Sequence, residues 1–112
     1  MHLAPLSEFD YHATLARTTG ASLVLFGSPG CGTCRKVENL LPAAAGSSVA
    51  ALFKVDVQQA TALARQYGLF HLPALFLYRD GHFHAELNCE VTPAALQQAI
   101  SAALAKPAQE EP

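Results

Sequence analysis

Two rhythms divide the chain. Ser22-Leu23-Val24-Leu25-Phe26 is a short apolar run ended by Gly27-Ser28-Pro29-Gly30, which predicts a buried strand. Residues 50–57 read the same way. Between them the period lengthens, with Val37, Leu40, Leu41 and Ala44 on one side of a helix from Cys31 to Ala45 that Pro42 should kink. A strand, a helix and a strand predict a parallel pair with a right-handed crossover. Ser7 is expected to cap an earlier helix with Phe9, Ala13 and Ala16 on its inner face, ending at Gly20. Ala60, Leu63, Ala64 and Tyr67 mark a short helix stopped by Gly68. Ala74 to Tyr78 and His82 to Leu87 predict two strands joined at Asp80-Gly81, a strong hairpin signal. Thr92-Pro93 opens a closing helix that presents Leu96, Ala99, Ile100, Ala103 and Leu104. The expectation is an α/β fold: a mixed four-stranded sheet, two parallel strands plus an antiparallel hairpin, flanked by helices on both faces.

Composition narrows the class. The 112 residues are 51% hydrophobic and 14% charged, which supports a packed core and excludes a polyelectrolyte. One domain over residues 1–105 is expected. The polar, proline-containing stretch 106–112 reads as a frayed tail. A net charge of -2 leaves no basic stripe for phosphates, so nucleic acid is not an expected partner. The longest uncharged run, Asn39 to Phe53, is broken by Pro42 and Gly46-Ser47-Ser48 and falls short of the ~20 apolar residues of a membrane helix. The first fifteen residues lack a basic start followed by an apolar block, so a cytoplasmic setting without membrane attachment is expected.

Three cysteines do not make a disulfide framework. Cys31-Gly32-Thr33-Cys34 falls between a strand end and a helix start, while Cys89 stands alone. First-turn amides lack internal partners and carry partial positive charge, so a thiolate at Cys31 is stabilised there. Gly32 and Thr33 keep the backbone close and the thiol reachable. Three residues on, a helix turns the Cys34 sulfur back toward Cys31, so the pair can open and close with little backbone motion. The bare motif suits redox chemistry and half a zinc site equally. A zinc site wants four ligands, often as two such pairs, and no second pair exists here. Context favours redox chemistry without a bound metal.

With these pieces in order, the chain resembles the thioredoxin family from about Leu23 to Leu104. The resemblance is carried by Leu23-Val24-Leu25-Phe26 before Cys31-Gly32-Thr33-Cys34, by Phe53-Lys54-Val55-Asp56-Val57, by Tyr67-Gly68-Leu69-Phe70-His71-Leu72-Pro73-Ala74, and by Tyr78-Arg79-Asp80-Gly81. It implies a thioredoxin fold and a protein-disulfide oxidoreductase that acts as an electron carrier. Cys31 would be the attacking nucleophile and Cys34 the resolving cysteine. Pro73 would be a cis-proline opposite the disulfide, helping an extended substrate pair with the backbone of Leu72. The expected partners are disulfide-containing protein substrates and a thioredoxin reductase or similar electron donor. The dithiol itself carries the electrons, so no bound cofactor is implied, and the expected state is a monomer.

The chain departs from the family in informative places. Gly27-Ser28-Pro29-Gly30 replaces the usual tryptophans, and the sequence has no tryptophan at all. Leu25 stands where the family buries an aspartate beneath the disulfide, and Lys54 is retained without that partner. Glu38, one turn past Cys34, and Lys54 are the candidates for a substitute proton acceptor, set against ordinary solvated side chains. His71 is a candidate for the substrate groove, together with Gly32, Thr33, Leu72 and Pro73. His82 and His84 alternate and should share an exposed strand face. Phe70, Phe76 and Phe83 are read as core or rim aromatics. Cys89 should lie near Cys31 and Pro73, either as an inert small residue or as a regulatory thiol. Competing functions are a thioredoxin-fold binding module or assembly chaperone with little turnover, and a metal or iron–sulfur carrier using Cys31, Cys34 and Cys89.

Overall fold

The computed structural model describes residues 2–112. In chain order the elements are β1 (Leu3–Pro5), α1 (Tyr11–Ala16), β2 (Ala21–Gly27), α2 (Gly32–Ala45), β3 (Ala51–Asp56), α3 (Thr61–Gln66), β4 (Ala74–Arg79), β5 (His82–Leu87) and α4 (Pro93–Leu104). They form a five-stranded sheet in the order β1-β3-β2-β4-β5. The first three of these run parallel, and β4 and β5 complete the sheet antiparallel. The mixed sheet is the one expected, with one strand more. That strand, β1, is three residues long and pairs Leu3 with Leu52. It carries no readable period, and its Pro5 is tolerated because it lies at an edge.

Helices cover both faces. Under α2 and α4, Val37, Leu41, Leu96 and Ile100 pack on Leu23, Leu25, Leu52, Leu75 and Leu77. Under α1 and α3, Tyr11, Leu15, Leu63 and Tyr67 pack on Val24, Phe26, Val55, Phe76 and Phe83. A strand buried on both faces reads as a continuous apolar run, which is why residues 22–26 were so plain in the sequence. The tyrosines close the second core: the Tyr11 and Tyr78 hydroxyls hydrogen bond to each other. Burial above all pushes the Tyr11 and Tyr67 phenols far up from their ordinary value, so they stay neutral.

Four local expectations need correction. The first helix starts at Tyr11 with Asp10 at its cap, because Ser7 instead accepts the Tyr11 N–H and binds Asp10 in a turn. Its buried face is therefore Tyr11 and Leu15, and Phe9 is 91% exposed. On α2, Leu40 lies toward solvent, at the rim of the stripe that Val37 and Leu41 bury. His84 is buried although His82 is exposed. The β4–β5 register slips between Leu77 and Tyr78, from Leu77 opposite Ala85 to Tyr78 opposite Phe83, leaving His84 as the extra residue of a bulge. Its Nε2 lies 2.6 Å from the Ala103 carbonyl, which only accepts, so Nε2 donates. Last, the polar tail lies along β5. The Gln109 N–H donates to the His84 carbonyl at 2.7 Å, the Gln109 side-chain oxygen accepts from the Glu86 N–H, and Glu111 accepts from the Tyr67 hydroxyl. An edge strand has free backbone groups to offer, and the tail takes some of them.

Asp80 and Gly81 both take positive φ, 51° and 83°, as a two-residue hairpin turn requires. Thr92 caps α4 by accepting from the Ala95 N–H. The hairpin returns the chain to the end of the sheet where β2 finishes.

Candidate active site

That end of the sheet gathers the chemistry. β2 runs out at Gly27, and the segment 28–30 turns so that the Cys31 N–H donates to the Ser28 carbonyl. Cys31 is the N-cap of α2, with extended backbone, and its sulfur accepts the Cys34 N–H at 3.1 Å. An orphan helix amide thus points at the sulfur that must become a thiolate. Arg35 holds the turn by donating to the Pro29 carbonyl. Cys31 and Cys34 form a disulfide, with Cα atoms 5.2 Å apart. The two sulfurs are not equivalent: Cys31 is partly exposed, whereas Cys34 is 4% exposed behind it.

Gly27 makes this packing possible. A Cβ placed there would stand 2.9 Å from the Cys34 Cβ and 3.2 Å from its sulfur. The sequence showed Gly27 as part of a turn; its close contact with Cys34 is tertiary and had no sequence signal.

Pro73 immediately precedes Ala74, which pairs with Phe26 at the end of β2. The Leu72–Pro73 bond is cis. Gly32, Thr33 and His71 are exposed at this end, and Leu72 and Pro73 are half-buried. Phe70 is 89% exposed in the same connection, not a core residue. Cys89 lies two residues beyond Leu87, which pairs with Leu75, so the hairpin brings it to the same sheet end. It packs against the core under α2 and α4, where burial pushes its thiol up from the ordinary value. Among the described residues, no cluster of three or more His, Cys, Asp or Glu side chains is arranged around a common metal position.

Leu25, at the position where the resemblance implies a buried carboxylate, is 2% exposed and borders the same cavity as Cys34. Leu25 and Lys54 are register partners on β2 and β3. The Lys54 ammonium reaches Glu38 of α2 at 3.0 Å, both side chains being 39% exposed. The two candidates for proton transfer are therefore one ion pair. Leu25, Gly27, Cys34, Glu38 and Lys54 all border a cavity of about 640 Å³ that extends to the segment between β1 and α1.

The thioredoxin family model matches residues 2–102. The chain is 35% identical to protein disulfide-isomerase A3 of Gallus gallus over 78 residues, 68% of this chain and 15% of that protein. It is 26% identical to thioredoxin of Staphylococcus epidermidis over 83 residues, covering 72% of this chain and 78% of that one. The solved structure titled human ERp44 zinc-bound form superposes with a TM-score of 0.76 at 19% identity, over 91% of this chain and 30% of that one. The chain thus spans a small part of the disulfide-isomerase and most of the bacterial thioredoxin.

Proposed function

This chain belongs to the thioredoxin family, and on that premise we propose that it reduces disulfides in protein substrates by exchange at Cys31 and Cys34. The observation that carries the reading is the asymmetry of the pair: an accessible sulfur at a helix N-cap, and a buried one behind it. The Cys31 thiolate attacks a substrate sulfur in line, and the other substrate sulfur leaves with its electron pair. Cys34 then attacks Cys31 in the mixed disulfide, and the substrate departs as a dithiol. An extended substrate segment lies against Leu72 and Pro73, with Gly32, Thr33 and His71 at the rim. A dithiol donor then reduces the Cys31–Cys34 disulfide and regenerates the dithiol, a thioredoxin reductase being the proposed source, and the protein works as a monomer in the cytoplasm. The leaving thiol is the same whichever protein supplies it, so substrate choice lies in the surface around the pair.

The test is insulin reduction driven by NADPH and a thioredoxin reductase, with dithiothreitol as an independent electron source. Turnover with both is expected. A second reading, a binding module with little turnover, is favoured by Leu25 in place of a buried acid. Absence of turnover with either donor would support it against the first.

A further inference from the structure

We infer that Glu38, positioned by Lys54, takes over the proton that Cys34 must release when it resolves the mixed disulfide. This rests on the exchange reading above and adds the base that reading lacks. A thiol is a poor nucleophile and a thiolate a good one, so the second step needs a proton acceptor within reach of Cys34. Cys34 is 4% exposed, and Leu25, which lines the same cavity, has no polar atom in its side chain. Cys34 nevertheless borders the cavity of about 640 Å³, which has room for ordered water.

Four carboxylates line that cavity: Glu8, Asp10, Glu38 and Asp56, with Lys54 and Arg35 as its cations. Three of them already accept backbone N–H groups. Glu8 takes Ala62, Asp10 takes Ser7, and Asp56 takes Gln58. Among the described residues, Glu38 is bound by the Lys54 side chain alone, at 3.0 Å. It also shares a helix with Cys34, four residues on, where Cβ atoms lie about 5–6 Å apart on one face. Lys54 is the register partner of Leu25 on β3, so its ion pair with Glu38 links β3 to α2 beside the cavity. Lys54 is a positioning residue: it fixes the carboxylate beside the cavity water through which the proton passes.

The step balances. The Cys34 sulfur forms a bond to the Cys31 sulfur, and the bond from Cys31 to the substrate sulfur breaks. The substrate leaves as a thiolate with the electron pair. The Cys34 proton passes to the Glu38 carboxylate, which later returns it to solvent.

Ellman's reagent separates the two steps. With reduced protein in excess, attack by Cys31 releases one coloured thiolate, and resolution by Cys34 releases the second. In Glu38→Gln the first release should match the unsubstituted protein. The second should slow about a hundredfold at pH 7, at the low end of the range for general-base groups, and converge with it at pH 9, where hydroxide deprotonates the thiol directly. Lys54→Met should slow the second release less, with the same convergence. If Glu38→Gln unfolds, judged by circular dichroism, Glu38→Asp carries the test and should keep a second release within about threefold of the unsubstituted rate, with the same convergence at pH 9. In Glu38→Gln, or in Lys54→Met where Glu38→Gln unfolds, an unchanged second release, or one slowed equally at both pH values, overturns the assignment of Glu38. Absence of the first release in the unsubstituted protein overturns the exchange reading instead.

Discussion

Cys31→Ser should reduce insulin no faster than buffer with either electron source, and Cys34→Ser should accumulate a mixed disulfide. The difference follows from position. Cys31 is the accessible sulfur and the only one of the pair at the helix N-cap, so its loss removes the first attack. Cys34 is buried, and its loss leaves that attack intact while removing the resolving thiol. Mass spectrometry of Cys34→Ser incubated with oxidised insulin should find an insulin chain on Cys31, released by dithiothreitol. Turnover by Cys31→Ser, or capture on Cys89 in place of Cys31, would reverse the assignment of roles.

Gly27→Ala should cost about 1–3 kcal/mol of stability, the range for overpacking a close-packed site. The new methyl would meet the Cys34 Cβ at 2.9 Å, with β2 hydrogen bonded on one side and α2 packed on the other. Neither neighbour is a flexible side-chain end. Gly30 supplies the control, since a Cβ there meets nothing within 4 Å. Gly30→Ala should stay within about 0.5 kcal/mol, as ordinary surface substitutions do. Guanidinium unfolding of the oxidised proteins measures both. Equal stabilities for the two variants would mean that β2 and α2 are not held in contact through Cys34.

The reach of the sequence follows the range of the interactions. Residues 22–34 were legible because a strand buried on both faces, a turn and a helix start each leave a local mark. So was the Asp80-Gly81 hairpin, whose backbone demands those residue types. β1 left no mark, since three residues hold no period and its pairing partner lies about fifty positions away. The alternation of His82 and His84 misled because one bulge residue inverts every side chain beyond it. The tail's composition predicted fraying, yet its place is set by free backbone groups on β5, which composition does not record. At the site, Glu38 and Lys54 were visible as separate candidates. Only the register of β2 with β3, and the packing of α2 across them, make them a pair. Phe9 falls on a core-facing period only if the helix starts three positions earlier than it does.

A redox titration of the Cys31–Cys34 pair against reduced and oxidised glutathione tests the central claim most directly. Thiol labelling and mass spectrometry count the oxidised fraction, and a Cys89→Ser background removes the third thiol. Reversible dithiol chemistry predicts one two-electron transition, with a midpoint more reducing than the glutathione couple itself. A pair that stays reduced where glutathione is mostly oxidised, or stable glutathione adducts in place of the internal disulfide, would contradict it.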